Sequence, residues 1–358
     1  MIQQSAPGKL YIAGEYAVTE PGYPAVLVAL NQYITVYLKQ TTNGGSICSS
    51  HSKGMSIPWT RVNGQFVIDQ RENPFAYVEE AIKITEDYVR ELGYPLTFFD
   101  LQIESDLDNA DGRKYGLGSS GAVTVATIKA LLTFYKVNKE PLIVYKLAAL
   151  AHLALNSNGS FGDLAASSFG GWVAYASFDK DWVNRQKSTL ALTQLLHQDW
   201  PKLHIEVLTP PKDLRLMIGW TGAPASTTQL VDSVKDNMEK QNASYQRFLA
   251  QSYDCVHQCI EGFRHQNAEQ IQAAIRKNRL LLQALGQNSQ VLIETETLAT
   301  LCDLAEKFGG AAKSSGAGGG DCGIALMNTT QSVAPLIEAW QAHQIEHLNL
   351  TVHQDNKH

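Results

Sequence analysis

The chain reads as an α+β protein of two domains, and three features carry that reading. Strand-like runs fill most of the first third, helical ones fill most of residues 228–308, and glycine-rich segments punctuate both parts. A length of 358 residues leaves room for one large or two ordinary cores. In order, KLYIAGEYAV, PAVLVAL, QYITVYL and LTFFDLQIESDL have the apolar content of strands, with TNGG at 42–45 as a turn. Among them PFAYVEEAIKITEDYVRELGY is an amphipathic helix, opened by Pro74 and closed by Gly93. SSGAVTVATIKALLTFYKV and PLIVYKLAALAHLALN give two more helices, and GGWVAYASF a further strand. Residues 179–203 show no clean period and read as a connector. Beyond them HIEVL and LRLMIGW read as a strand pair leading into the helical region. The end of the chain holds a strand after KSSGAGGGDCG, the helix VAPLIEAWQAHQ and a last strand, IEHLNLTV. The division falls in the irregular stretch, giving domains of residues 1–185 and 186–358.

Charge and composition narrow the partners. A net charge of −6 without a basic run argues against nucleic acid and against a membrane surface. The opening MIQQSAPGKLYIAGEYAV does not read as a signal peptide, and no apolar run reaches spanning length. The five cysteines are scattered; Cys255 and Cys259 stand four apart on a helical pattern, but no second pair accompanies them, so they read as buried thiols. A cytoplasmic protein acting on small molecules, as monomer or homodimer, is the expectation.

Three glycine-marked segments carry the chemistry. KYGLGSSGAV, residues 114–123, satisfies G-x-G-x-x-G through Gly116, Gly118 and Gly121, and G-x-x-x-x-G as well. A P-loop requires Lys and then Ser or Thr after the second glycine, where Ala122 and Val123 stand. A Rossmann turn requires a strand running into the first glycine, where the polar DNADGRKY stands instead. What both patterns share survives: a glycine turn entering an apolar helix aims unpaired backbone N–H groups at an anion. Ser119 and Ser120 add hydroxyls for a cap, a phosphate or Mg²⁺, and Lys114 adds a positive charge. The second segment, APGKLYIAGEYAV, opens an apolar strand with Lys9 and bends at Gly14 before Glu15 and Tyr16. The third, KSSGAGGGDCGIAL, has so many residues without a Cβ that close approach of backbone to a ligand or another segment explains it best.

Taken together and in this order, PGKLYIAGEYA, KYGLGSSG, GDLA, GWT and KSSGAGGGDCGIAL resemble the signature motifs of the GHMP kinases, the galactokinase, homoserine kinase, mevalonate kinase and phosphomevalonate kinase superfamily. The likeness runs from Pro7 to about Ile345, and the form of the motifs is most similar to the bacterial branch acting on 5-phosphomevalonate. The resemblance implies a ribosomal S5 domain 2-like N-terminal domain, a ferredoxin-like C-terminal domain, and transfer of the γ-phosphoryl group of ATP to 5-phosphomevalonate. It implies that Lys114, Gly116, Leu117, Gly118, Ser119, Ser120, Gly121 and Ala122 bind ATP, that Ser120 ligates Mg²⁺, and that Lys9 and Asp163 are catalytic. For the acceptor it points to Lys9, Tyr16, Ser226, Thr227, Ser314, Gly316, Ala317, Gly318 and Gly319. An acceptor phosphate has a second pKa of about 6 and needs no general base, so Asp163 is expected to orient Lys9 or Mg²⁺. Where mevalonate kinases carry a metal-binding Glu this chain has His152, read here as a core histidine. Alternatives are a kinase acting on mevalonate, a decarboxylase of the diphosphate, and a nucleotide-binding regulator without catalysis.

Overall fold

One long strand, paired along most of its length, organises the first half. The computed structural model describes residues 1–50, 56–68, 74–107, 115–223, 227–239 and 242–354, without the side chains of 227, 228, 239 and 242. Strand β1 (Ile2–Ala13) pairs antiparallel with β2 (Pro24–Thr41), from Ile2 opposite Leu38 to Ala13 opposite Val26. The register shifts between Pro7 and Lys9 and again between Tyr11 and Ala13. β3 (Gly45–Ser49), β4 (Ser56–Val62) and β5 (Gln65–Ile68) extend the sheet as an antiparallel ribbon. Helix α1 (Ala76–Glu91) leads to β6 (Phe98–Ser105), which takes the second half of β2. There follow α2 (Ser119–Phe134), α3 (Pro141–Ala154), α4 (Gly162–Phe169) and β7 (Trp172–Ala176), the last pairing with the first half of β2. Two short helices, α5 (Lys180–Lys187) and α6 (Leu192–His197), precede β8 (His204–Leu208). The strands form one eight-stranded sheet, β5-β4-β3-β6-β2-β7-β8, with β1 along β2. Helices α1 to α4 pack together over it, and α2 and α4 both rest on β1.

The second half is built on β9 (Leu214–Trp220). Helices α7 (Thr227–Glu239), α8 (Asn242–Arg264), α9 (Ala268–Ser289) and α10 (Glu296–Lys307) follow it. After them come β10 (Ala311–Ser314), β11 (Cys322–Asn328), α11 (Ala334–Ala342) and β12 (Glu346–His347). The four-stranded sheet runs β10-β11-β9-β12, all antiparallel. Numbered within this half the order is 2-3-1-4 around a β-α-β-β-α-β chain path, the ferredoxin-like arrangement the motifs implied. The tail then returns to the first half: Val352 bridges Leu30, and His353 exchanges backbone bonds with Ala29 and Gly171. Among the described residues no helix is long and apolar enough to cross a membrane.

Several expectations change. PAVLVAL and QYITVYL are one strand, because the polar break at Asn31 lies opposite the shifted register and is satisfied by Thr351 of the returning tail. HIEVL and LRLMIGW are not partners: β8 pairs with β7 and β9 with β11, so the first sheet runs past the division drawn at residue 185. The irregular connector contains α5, whose N-cap Asp179 accepts from the Trp182 amide at 2.8 Å, and α6. Helices this short leave too few turns for a period to register.

Candidate active site

Between the halves lies a cavity of about 690 Å³ that all three glycine-marked segments enter. The first brings Lys9. At the register shift its backbone N–H leaves the sheet and donates to the Leu117 carbonyl at 2.8 Å, a bulge that re-aims a side chain beside a site. The Lys9 ammonium is buried, reaches the Gly116 carbonyl at 3.5 Å and lies 5.4 Å from the Tyr11 ring centroid. Burial lowers its pKa, and nearby negative charge opposes that shift, Asp163 most strongly.

The second segment enters α2 through Gly118, the N-cap, at φ 78°. The first bond of the helical ladder is from the Ala122 amide to the Gly118 carbonyl, 3.1 Å. The amides of Ser119, Ser120 and Gly121 therefore precede the ladder, where a helix accepts an anion. Gly116, Leu117, Gly118, Ser119 and Ser120 line the cavity. Gly121 and Ala122 are buried behind them, and Ala122 has spent its N–H on the helix, so it contributes packing rather than a phosphate contact.

The three glycines of this loop share a second property. A Cβ at Gly116 would stand 2.6 Å from Asp321 Oδ2, one at Gly118 would stand 2.8 Å from Lys9 Cε, and one at Gly121 would stand 2.6 Å from Asp163 Oδ2. Each missing side chain makes room for a charged group arriving from elsewhere in the chain. Asp163 comes from the first turn of α4, which begins after Phe161 in the left-handed region at φ 62°. Its carboxylate lines the cavity, and the N-cap position belongs to Phe161, so Asp163 is not a helix cap.

The third segment closes the opposite wall. Ser315, Gly316, Ala317, Gly318 and Asp321 line the cavity, whereas Ser314 and Gly319 do not. Ser314 is buried in β10, and alternation along the strand turns Ser315 toward β1 instead. There its hydroxyl accepts from the Tyr11 amide and donates to the Tyr11 carbonyl, both at 2.9 Å. Gly319 donates its N–H to the Ile293 carbonyl at 2.8 Å, and a Cβ on Gly318 would meet that oxygen at 2.1 Å. Tyr16 lines the cavity, held at φ 63°, and its hydroxyl donates to the Ala317 carbonyl at 2.5 Å. Ser226 and Lys114 lie outside the described residues; Thr227 opens α7, and its side chain is likewise outside them.

Other residues in and around the wall were given no site role by the sequence, which read His152 as a core histidine. The buried carboxylate of Glu15 forms an ion pair with the fully buried Lys313, joining the first and third segments across the two halves. Asn156, Ser157, Asn158, Gly159 and Ser160 form a polar loop before α4. Lys180 donates to the carbonyls of Asn158 and Gly159, at 3.3 and 2.7 Å, and Tyr11 meets the Ser160 hydroxyl at 2.6 Å. His152 is buried, with its Nε2 3.0 Å from the Thr124 hydroxyl, and burial lowers its pKa against the opposing charge of Asp163. Among the described residues no group of three or more His, Cys, Asp or Glu side chains could hold a metal by itself.

The chain matches the GHMP kinases N terminal domain over residues 76–171 and the GHMP kinases C terminal family over residues 259–346. It is 38% identical over 362 residues to a phosphomevalonate kinase of Streptomyces sp. (strain CL190), covering 98% of this chain and 96% of that one. Among solved structures, the Lin0012 protein of Listeria innocua superposes with a TM-score of 0.92 at 38% identity, over 99% of this chain and 98% of the other. The phosphomevalonate kinase of Streptococcus pneumoniae in complex with phosphomevalonate and AMPPNP superposes with a TM-score of 0.85 at 30% identity, over 99% and 100%.

Proposed function

This chain belongs to the GHMP kinases, and from that premise we propose that it transfers the γ-phosphoryl group of ATP to (R)-5-phosphomevalonate, giving (R)-5-diphosphomevalonate and ADP for isoprenoid precursor synthesis. The observation that carries the reading is the meeting of Lys9, Asp163 and the N-terminus of α2 in one cavity between the halves. Near-full-length identity to a phosphomevalonate kinase supports the acceptor.

Each residue takes a role that phosphoryl transfer demands, because the transition state loads charge onto phosphoryl oxygens and catalysis is mainly positioning and electrostatics. The amides of Ser119, Ser120 and Gly121 hold the β- and γ-phosphates at the positive end of α2. Lys9, buried and aimed across the loop, neutralises charge that grows on the transferring group. The acceptor phosphate is dianionic near pH 7, its second pKa being about 6, so it attacks without surrendering a proton to a base. Asp163 then serves to hold Lys9 in place.

Mg²⁺ fits the donor set. The polyanionic triphosphate of ATP and a dianionic acceptor phosphate meeting in one cavity require more positive charge than Lys9 supplies, and the wall already carries the carboxylates of Asp163 and Asp321. Mg²⁺ is commonly held by one or two carboxylates together with substrate phosphates and water, which suits a wall with no three-residue protein cage among the described residues. Asp163 and the Ser120 hydroxyl are the groups that would hold it, and when bound it screens phosphate charge. The acceptor lies against Tyr16 and the backbone of 316–318, facing the polar loop 156–160. With all five cysteines unpaired, we place the protein in the reducing cytoplasm.

The test is an acceptor comparison. ADP release is followed with ATP and Mg²⁺ in the presence of 5-phosphomevalonate or mevalonate. Turnover with the phosphorylated acceptor alone is expected. Turnover with mevalonate alone overturns the assignment.

A further inference from the structure

The residue immediately before β11, at the end of the glycine tract, is used by none of the roles above, yet it sits where the two halves meet the nucleotide loop. Asp321 interrupts a run of glycines and small residues in the left-handed region, at φ 51°, where a non-glycine residue is strained. Its backbone is held on both sides. Its N–H donates to the Ala223 carbonyl at 2.7 Å, and its carbonyl accepts from the Thr221 amide at 2.9 Å and the Thr221 hydroxyl at 3.1 Å. Its side chain lines the cavity and occupies the space that a Gly116 Cβ would need, with Oδ2 2.6 Å from that position.

The neighbours of Asp321 grip the same corner. Trp220 packs edge-on against Tyr115 with ring centroids 5.1 Å apart, and the Cys322 thiol donates to the Tyr115 carbonyl at 3.2 Å. Trp220 at the end of β9, Cys322 at the start of β11 and Asp321 just before it thus clasp residues 115 and 116 of the first half. On the other side of that corner stands Lys9. Its ammonium reaches the Gly116 carbonyl at 3.5 Å, its backbone N–H is held by Leu117 at 2.8 Å, and its side chain fills the room left by Gly118.

We propose that Asp321 is a positioning residue that locks the Gly116 corner of the nucleotide loop from the C-terminal half and thereby sets Lys9 for phosphoryl transfer. The strain at φ 51° is retained because an aspartate there, and not the glycine the backbone favours, reaches the loop. Asp321 touches no reacting atom in this account. It acts through Gly116 and Lys9, so closure of the two halves and assembly of the cationic side of the site become one event. The inference rests on the role given to Lys9 above.

The experiment is a double-mutant cycle on kcat with the full chain, comparing wild type, Asp321→Gly, Lys9→Met and the double variant, each with a thermal melt. Asp321→Gly removes the carboxylate and relieves the backbone, so the melting temperature is expected to hold or rise while kcat falls about tenfold to a hundredfold, the scale of an ångström-level misplacement. The KM for ATP is expected to change by less than about threefold. In the Lys9→Met background the same change is expected to add less than about threefold, because its target is already gone. Restoring side-chain length with Asp321→Asn is expected to recover part of the lost kcat. Full independence of the two losses, multiplying in the double variant, overturns the inference while leaving the Lys9 role intact. So does an Asp321→Gly enzyme within twofold of wild type. A Lys9→Met enzyme of normal kcat overturns both this inference and the role assigned to Lys9.

Discussion

Replacing Gly121 by alanine separates the fit of the site from the stability of the fold. Gly121 lies in the first turn of α2 and is not among the glycines with positive φ, so alanine suits its backbone and favours the helix by about 1 kcal/mol. The new methyl would stand 2.6 Å from Asp163 Oδ2 and 2.9 Å from its Cγ, where ordinary contact begins at 3.4 Å. The carboxylate must therefore retreat by about 0.8 Å from the position in which its charge acts on Lys9. Misplacement on that scale costs about tenfold to a hundredfold in rate, or about 1.4–2.7 kcal/mol of transition-state stabilisation. Steady-state ADP release, titrated in both substrates, is expected to show that loss in kcat, with a melting temperature no lower than that of the wild type. An enzyme within twofold of the wild-type kcat would refute the reasoning. So would a loss of activity that merely tracks a loss of folded protein.

Three further outcomes follow from the same geometry. Lys9→Met is expected to lower kcat by about two to three orders of magnitude while the affinity for ATP, measured by calorimetry, falls less than about tenfold; equal losses would mean that Lys9 only holds ground-state phosphate. In the pH profile of kcat/KM, activity is expected to rise with pH through about 6 as the acceptor phosphate becomes dianionic. That limb is expected to stay in place in Asp163→Asn, and its displacement would make Asp163 a proton acceptor. Lys313→Met strands the buried Glu15 carboxylate and is expected to destabilise the protein by about 3–5 kcal/mol in denaturant titration, with most of the loss recovered in the Glu15→Gln, Lys313→Met double variant.

What could be read in the chain, and what could not, divides along the range of the interaction. The glycine loop at 116–121 stood out by itself, because backbone exposure at a helix start leaves a local trace in glycine spacing, whereas Lys9 in PGKLY and Asp163 in GDLA stood out only through the resemblance to the GHMP kinase motifs. The reason for those glycines did not. Gly116, Gly118 and Gly121 are seats for Asp321, Lys9 and Asp163, which lie 205, 109 and 42 residues away, and no local pattern reports partners at such separations. The same limit hid the Glu15–Lys313 ion pair, although both residues lie inside quoted motifs, and it hid Asp321 amid glycines. Ser314 and Ser315 differ only in strand alternation, which pairing with β11 decides. β8 carries too weak an alternation to reveal that it closes the first sheet rather than opening the second. A cue for Asp321 did exist: an acidic residue amid five glycines and an alanine must either cost stability or serve a site.

The central claim is that bare amides at the start of α2 grip the triphosphate while Lys9 faces the group in flight. A crystal structure with a non-hydrolysable ATP analogue, Mg²⁺ and 5-phosphomevalonate tests it most directly. The account predicts the β- and γ-phosphates against the amides of Ser119 to Gly121, with the Lys9 ammonium between the γ-phosphate and the acceptor phosphate. A triphosphate seated elsewhere in the cavity, with Lys9 turned away from it, would contradict it.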